Sequence, residues 1–405
     1  MVTHNSDLPA SPTATYAHIV GWGMAVPETV LTNQELEAIV ETNDEWIRTR
    51  TGIHERRIAG ERESTASLGL KAARKALQIS NLLPTDIDLI IVATSTPENI
   101  FPSTASLIQH WLGATKAGAF DLSAACSGFV YGVDMASQAI RSGSIQVAVV
   151  IGAETMSRVM DWQDRGTCIL FGDGAGAVVL KASPIQGGVL SSVLRSDGSG
   201  GDLLGIPTVG SADLRNPDFA VNGHKMHKMF MNGGEVFKFA TRVIGESIDQ
   251  ALDKADLNIQ DVALIVPHQA NQRIIQAAAR SLKVEPDLFM SNLDRYGNTS
   301  AASIPIALCE AVQQGRIKPD DHVAFVGFGG GLTWASMVIK WTGNKVVESS
   351  GPGFLTPQRR QFSYLLARWR ADLRRISRQI SQFVNNLRPG RSRIQRLQDK
   401  LDRLD

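Results

Sequence analysis

Three cysteines in 405 residues are too few and too scattered to staple a fold. Cys126, Cys168 and Cys309 lie far apart and share no metal-ligand spacing, which excludes a disulfide framework and a metal site and fits a reducing cytoplasm. No stretch reaches the ~18 consecutive apolar residues that a bilayer span requires. The start, Met1 to Thr13, is rich in Ser, Thr and Pro and lacks an apolar signal core, so residues 1–15 read as a disordered arm. No nucleic-acid partner is expected.

What is present is 43% apolar and 20% charged, enough to bury a large core in two domain-sized units. The net charge of +1 conceals a split. Residues 359–405 hold 13 basic and 4 acidic residues, whereas residues 1–358 hold 28 basic and 36 acidic. Such a split marks an attached module, here a basic tail joined through a linker at 346–358.

From Tyr16 onward short apolar runs alternate with helical patterns, the signature of an α/β fold. His18–Gly21, Ile87–Ala93, Ala117–Leu122 and Gln146–Ile151 read as strands; Asn33–Glu41, Ser67–Ile79 and Ser103–Leu112 read as helices. Two internal echoes stand out. Asp86-Ile-Asp-Leu-Ile-Ile-Val92 returns as Gln260-Asp-Val-Ala-Leu-Ile-Val266, and Phe171-Gly-Asp-Gly-Ala-Gly176 with its following strand returns as Phe328-Gly-Gly-Gly-Leu-Thr-Trp334. They predict two copies of one α/β unit, at 16–185 and 186–345, with ligand chemistry where strand ends and helix starts of the halves meet.

Three positions carry that chemistry. Asp121-Leu-Ser-Ala-Ala-Cys126-Ser-Gly-Phe129 sets a cysteine between a strand-like run and a helical pattern that continues to about Ile140. A cysteine at a helix start faces unpaired backbone N–H groups and the positive end of the dipole, which favours the thiolate. Leu264-Ile-Val-Pro-His268-Gln-Ala-Asn271-Gln-Arg273 puts a histidine at the exit of a buried strand, before a helix at Ile274–Ser281. Tyr296-Gly-Asn298-Thr-Ser-Ala-Ala302 puts an asparagine at a turn that opens a helix of small residues. Taken singly, a lone cysteine or histidine is an ordinary packing residue and an asparagine there an ordinary cap.

Taken in order, the three resemble the thiolase-fold condensing enzymes, most closely the 3-oxoacyl-(acyl-carrier-protein) synthase III family. The resemblance spans about residues 16–342. It also rests on Asp44-Glu-Trp46-Ile-Arg-Thr-Arg50-Thr-Gly-Ile53, Phe101-Pro-Ser103, Asp164-Arg165-Gly-Thr167 and Gly327-Phe-Gly-Gly330-Gly-Leu-Thr-Trp334. It implies a thiolase-like duplicated α/β fold, followed here by a C-terminal helical extension. It also implies decarboxylative condensation of an acyl-CoA with a malonyl group on acyl carrier protein, initiating fatty-acid synthesis without a cofactor. Cys126 would take the acyl group, His268 and Asn298 would hold the enolate oxygen, and the backbone N–H groups of Cys126 and Gly330 would form the oxyanion hole.

The same resemblance matches Trp46, Arg50, Arg165 and Asn271 to coenzyme A contacts, and Phe101, Met156, Phe171 and Phe237 to the acyl pocket. Phe101 would reach across a homodimer interface. Lys238, Gln269, Ala270, Asn271, Gln272, Arg273 and Arg280 match the surface that meets the acidic carrier protein. Asn298 separates this pattern from the chain-elongating synthases, which pair cysteine with two histidines. Hydroxymethylglutaryl-CoA synthases and chalcone-synthase-like enzymes share related triads and are the runners-up, but the Gly-Asn-Thr-Ser-Ala-Ala context and the Gly-Gly-Gly-Leu-Thr-Trp segment look more like synthase III. A specialised acyltransferase or polyketide-starter enzyme is the second enzyme reading; an adaptor role for the tail is the reading from another class. Ala335 and Ser281 depart from the family pattern.

In the tail, Phe362, Leu366, Trp369, Leu373, Ile376, Ile380, Phe383 and Leu387 alternate spacings of four and three, a heptad seam. It suits a partner helix, while the arginines and Trp369 suit anionic lipid. Pro389-Gly390 then breaks the helix, and a shorter repeat follows at Ile394, Leu397, Leu401 and Leu404.

Overall fold

The computed structural model describes residues 14–208, 224–343 and 357–387, with side chains of the last stretch described in part. Its two large sheets repeat one pattern. The first is built from β1 (Tyr16–Ala25), β2 (Leu89–Ala93), β3 (Gly118–Leu122), β4 (Val147–Thr155) and β5 (Asp173–Ser183), in the spatial order β1-β5-β4-β2-β3. The second is built from β6 (Gly188–Ser196), β7 (Val262–Pro267), β8 (His322–Gly329) and β9 (Thr333–Lys340), in the order β6-β9-β8-β7. In each sheet the first two pairings are antiparallel and the next parallel. Where β3 would recur beside β7, a single bridge between Ile265 and Phe289 remains.

The echoed sequences are the reason. Pro84–Asp86 and Ile259–Asp261 both form a 3-10 turn whose third residue, Asp86 or Asp261, accepts a backbone N–H three residues back and aims the following strand. The strands that follow are buried on both faces, as parallel strands covered on each side must be, so they read as continuous apolar runs.

Helices fill three layers around the sheets. Outside the first sheet lie α2 (Thr65–Ser80) and α3 (Thr104–Leu112); outside the second lie α5 (Gly233–Lys254) and α6 (Gln272–Leu282). Between the sheets, α4 (Gly128–Arg141) and α7 (Ser303–Gln313) share one core in which Phe129 and Phe325 pack at 6.3 Å between centroids. A 3-10 turn precedes each central helix, at Ala125–Ser127 and Ser300–Ala302. Each turn is bent by a left-handed residue, Ala125 at φ 45° and Ser300 at φ 48°. The two turns touch, so the duplicated units place their helix starts side by side.

Among the described residues no helix is long and apolar enough to cross a membrane. The tail helix α8 (Pro357–Leu387) docks on the first half by one face. Tyr364 donates its hydroxyl to the Leu82 carbonyl at 3.2 Å, and Ala367 is buried against Gly113 at the end of α3. The opposite face carries the seam, and most of its described residues stay in solvent: Phe362 and Trp369 are 62% and 63% exposed, Leu373, Ile376 and Ile380 are also open, and Leu366 is half-buried. The arm before residue 14, most of the linker, the Pro389-Gly390 break and the repeat beyond it lie outside the described residues, as do the side chains of Phe383 and Leu387.

Candidate active site

A cavity of about 820 Å³ opens where the halves meet, and Cys126, His268 and Asn298 all line it. Cys126 sits in the first 3-10 turn, ahead of α4, with Gly329 at the end of β8 against its backbone nitrogen. A Cβ at Gly329 would lie 2.7 Å from that nitrogen, so only glycine admits the approach. Thr333 ties the same loop down, donating to the Ala124 carbonyl at 3.0 Å and receiving the Ser127 hydroxyl at 2.8 Å. Gly330 thereby borders the cavity beside the nucleophile.

His268 leaves β7 into a fully buried setting, its ring packed edge-on to Phe328 at 5.1 Å. Burial lowers its pKa to about 3, so the imidazole is neutral. Its Nδ1 lies 2.6 Å from Ser303 Oγ. When that hydroxyl donates, Nε2 carries the proton and acts as a donor. Asn298 accepts the Ser300 backbone N–H on Oδ1 at 2.8 Å, which leaves its amide NH2 as the end free to donate. Its turn is braced from α7: Glu310 takes a two-pronged grip from Arg295 at 2.9 and 2.8 Å, the Tyr296 hydroxyl at 2.7 Å and the Asn292 amide at 3.0 Å.

The expectation that a helix start makes Cys126 a ready thiolate needs correction. The thiol is buried, and desolvation pushes its pKa up to about 12, outweighing the hydrogen bond it makes to Ser300 at 3.5 Å. The neutral His268 supplies no compensating cation.

At the cavity mouth, α1 (Asp44–Thr51) begins at Asn43, whose side chain accepts the Trp46 N–H at 2.8 Å. Four-residue spacing sets Trp46 and Arg50 on one face, and the Arg50 and Arg165 guanidiniums lie 4.9 and 5.3 Å from the Trp46 ring centre. Asn271 caps α6 by accepting the Arg273 N–H at 2.8 Å and donates to the Arg50 carbonyl at 3.0 Å, joining the two helices that flank the mouth.

Phe171 and Phe237 line the cavity, while Met156 lies behind it, packed with Phe171, Met160 and Met229. Phe101 does not reach this chain's own cavity; it is 84% exposed. Lys238 and Arg273 sit on the rim, Lys238 paired with Glu235 at 2.8 Å and Arg273 over the Phe237 ring at 5.5 Å. Ala270 borders the cavity, Gln272 accepts the Ser291 hydroxyl, and Arg280 is exposed on the last turn of α6. Gln269 is a second correction. It is 1% exposed, with its amide donating to the Pro267 and Met290 carbonyls and accepting the Asn292 N–H, so it holds the loop and offers no surface to a carrier.

The residue reading passed over Ser300, Ser303, Thr333 and Glu154. Glu154, the penultimate residue of β4, is fully buried beneath Ser300. The available signal for it was a carboxylate inside an otherwise apolar strand.

A cysteine set beside a neutral histidine and an asparagine amide, on a doubled α/β frame, defines a thiolase-fold condensing enzyme, an acyltransferase. The chain belongs to the 3-oxoacyl-(acyl-carrier-protein) synthase III family. The model for 3-oxoacyl-[acyl-carrier-protein (ACP)] synthase III matches residues 120–198, and that for its C terminal matches residues 252–341. The beta-ketoacyl-[acyl-carrier-protein] synthase III of Roseiflexus sp. (strain RS-1) is 51% identical over 329 residues, 81% of this chain and 99% of that one. That of Symbiobacterium thermophilum is 52% identical, covering 80% and 97%. The crystal structure of the Aquifex aeolicus VF5 3-oxoacyl-[acyl-carrier-protein] synthase III superposes with a TM-score of 0.74 at 45% identity, covering 80% of this chain and all of that one.

Proposed function

We propose that this chain initiates fatty-acid synthesis by condensing an acyl-CoA starter with malonyl acyl carrier protein, releasing coenzyme A and CO2. The observation that carries the reading is the pairing of Cys126 with two neutral donors, the imidazole of His268 and the amide of Asn298, around one cavity. Cys126 takes the acyl group and coenzyme A leaves. The malonyl carboxylate then departs as CO2, and the electron pair it leaves is delocalised onto the thioester oxygen. His268 Nε2 and the Asn298 amide hold that oxygen. The carbanion attacks the acyl-cysteine, whose own oxygen is held by the backbone N–H groups of Cys126 and Gly330. Electrons balance without a redox partner, so the reaction needs no cofactor. Retention of a donor amide at Asn298 favours condensation over simple acyl transfer.

Trp46, Arg50 and Arg165 form the mouth that receives the nucleotide end of coenzyme A, a stacking surface between two planar cations. The carrier meets Lys238 and Arg273 on the adjacent rim and Arg280 farther along α6, basic residues on an otherwise acidic body. Trp46→Ala and Arg165→Ala should therefore raise KM for acyl-CoA more than for malonyl carrier protein, and Lys238→Glu and Arg273→Glu the reverse. Steady-state kinetics with each substrate varied checks this, and equal shifts in both pairs reject the assignment. The solvent-facing Phe101 supports a homodimer in which it closes the partner's acyl pocket, and three buried free cysteines fit a cytoplasmic setting.

For the tail, the favoured occupant of the open seam is the same helix of a second copy. The positions flanking the seam are mostly uncharged, Ser363, Leu365, Ser377, Gln379, Val384 and Asn386, so two copies meet few like charges, while most arginines fall on the outer positions. Truncation after Asn344 should leave turnover unchanged and reduce the particle mass seen by light scattering. Unchanged mass with lost activity rejects the reading, as does a loss confined to binding of anionic vesicles, which would assign the seam to lipid.

A further inference from the structure

The mechanism leaves one chemical need unmet. Cys126 must lose a proton to attack, yet its thiol is buried and weakly acidic, and His268 is neutral and has its Nδ1 engaged by Ser303. We propose that Glu154, acting through the Ser300 hydroxyl, receives the Cys126 proton and keeps it in the interior for as long as the cysteine is acylated. This rests on the acyl-cysteine chemistry argued above and names the group that chemistry requires.

The geometry runs in one direction. Cys126 Sγ donates to Ser300 Oγ at 3.5 Å, and Ser300 Oγ donates to Glu154 Oε1 at 2.9 Å. Glu154 is 0% exposed and accepts everywhere: the Ser95 N–H lies 3.0 Å from each oxygen, the Thr96 hydroxyl 2.6 Å and the Thr94 hydroxyl 3.2 Å from Oε2. A carboxylate surrounded by donors is an ionised acceptor. None of the groups that hydrogen-bond it titrates, and the titratable group that reaches it through Ser300 is the Cys126 thiol. Burial raises the Glu154 pKa, which makes its carboxylate a stronger base than an exposed one, while the donors around it oppose that shift.

Two backbone features hold the relay in place. Ser300 sits at φ 48°, a left-handed conformation that a serine adopts under constraint, here with its N–H held by Asn298 and its hydroxyl bridging thiol and carboxylate. Gly152, two residues before Glu154 on β4, lets the Ser300–Ala302 turn lie directly on the strand; a Cβ there would come within 2.1 Å of the Ala301 carbonyl oxygen. A merely structural carboxylate would be satisfied by the loop donors at 94–96. The fourth donor comes from the other half of the molecule and leads to the nucleophile.

The steps balance. In acylation the Sγ–H bond breaks, its proton passes to Ser300 Oγ as the Ser300 proton passes to Glu154, and the Sγ–C bond forms as the C–S bond to coenzyme A breaks. The coenzyme A thiolate takes a proton from solvent. In condensation the Cys126 thiolate departs and recovers the stored proton by the reverse path. One proton is consumed per cycle, which is the stoichiometry of turning a malonyl carboxylate into CO2 and a 3-oxoacyl product.

The test uses the full chain, with acyl-enzyme formation followed by quenched-flow mass spectrometry after mixing with acyl-CoA alone. Glu154→Gln and Ser300→Ala should each slow acylation on the order of 10²-fold, the usual contribution of a positioned proton acceptor. Their acylation rate should climb with pH where the wild-type rate is flat, because hydroxide must replace the lost acceptor. Glu154→Asp should recover part of the rate. Unchanged acylation in both variants overturns the relay, and so do equal losses of acylation and of condensation from preloaded acyl-enzyme with the wild-type pH dependence, the mark of a structural role. If Glu154→Gln does not fold, Ser300→Ala decides by the same two readouts. A wild-type protein that never gains acyl mass on Cys126 would overturn the proposed function itself, a result separate from either failure of the relay.

Discussion

Replacing Cys126 with serine is expected to abolish acyl-enzyme formation, with a loss on the order of 10⁴- to 10⁶-fold in turnover, the range seen when a covalent nucleophile is removed from its unit. The substitution changes one atom. Serine fits the same turn, and Gly329 still packs on its backbone nitrogen, so the fold and cavity should survive. What is lost is the ionisable, polarisable sulfur: an alcohol is a far weaker acid than a thiol, and this site already disfavours ionisation by burial, raising the thiol pKa to about 12. The check is intact-protein mass after incubation with acyl-CoAs of several chain lengths, which for the native chain also reports the preferred starter. Acyl mass on the serine variant at the native rate would remove Cys126 from the mechanism. An unchanged melting temperature would show that the loss is chemical.

Much of this site was legible because the sequence states chemistry and position together. His268 leaves a buried apolar strand ahead of a helix and Asn298 sits at a turn that opens a helix of small residues, and in a doubled α/β frame such places converge. The frame itself was visible in the two echoes, since a parallel strand covered on both faces must be continuously apolar. Local signals failed where distant contacts decide. The helix-start argument located Cys126 correctly but missed that Ser300, 174 residues away, and the surrounding core would bury it. Gln269 stands in a polar loop motif, yet carbonyls of Pro267 and Met290 turn it inward. Glu154 lies near the end of an apolar strand and belongs to no motif; its partners from 94–96 and Ser300 explain how β4 tolerates a charge there. The tail shows the same division. Its heptad spacing was plain, whereas the docking of the opposite face depends on Ala367 meeting Gly113 and on Tyr364 finding Leu82, contacts with no sequence signature.

His268→Ala and Asn298→Ala are expected to leave Cys126 acylation near the native rate while slowing condensation about 10²- to 10³-fold each, the loss that follows removal of one oxyanion donor. The division follows from what each group can do. Acylation builds charge on the acyl oxygen, which in the proposed mechanism is held by backbone N–H groups that neither substitution touches. Decarboxylation builds charge on the malonyl thioester oxygen, which in the proposed mechanism the imidazole Nε2 and the Asn298 amide receive. A neutral imidazole matters here, because a donor of this kind works without changing its protonation state. With its pKa lowered to about 3, His268 should add no inflection near pH 6.5 to the condensation profile of preloaded acyl-enzyme. The sign for stability is the companion result. A histidine whose folded pKa lies below its unfolded value stabilises the fold fully above about pH 6.5 and loses that contribution as the pH falls toward 3, because the unfolded chain takes up the proton first. His268→Ala should therefore flatten the acid limb of the stability curve, even as the cavity it leaves lowers the plateau. Single-turnover condensation at several pH values, with melting curves on the same samples, measures both effects. Native condensation by the Asn298 variant would remove its amide from the mechanism, and an inflection near pH 6.5 that vanishes in the His268 variant would mean that His268 works as a titrating base; either result makes the two-donor mechanism wrong.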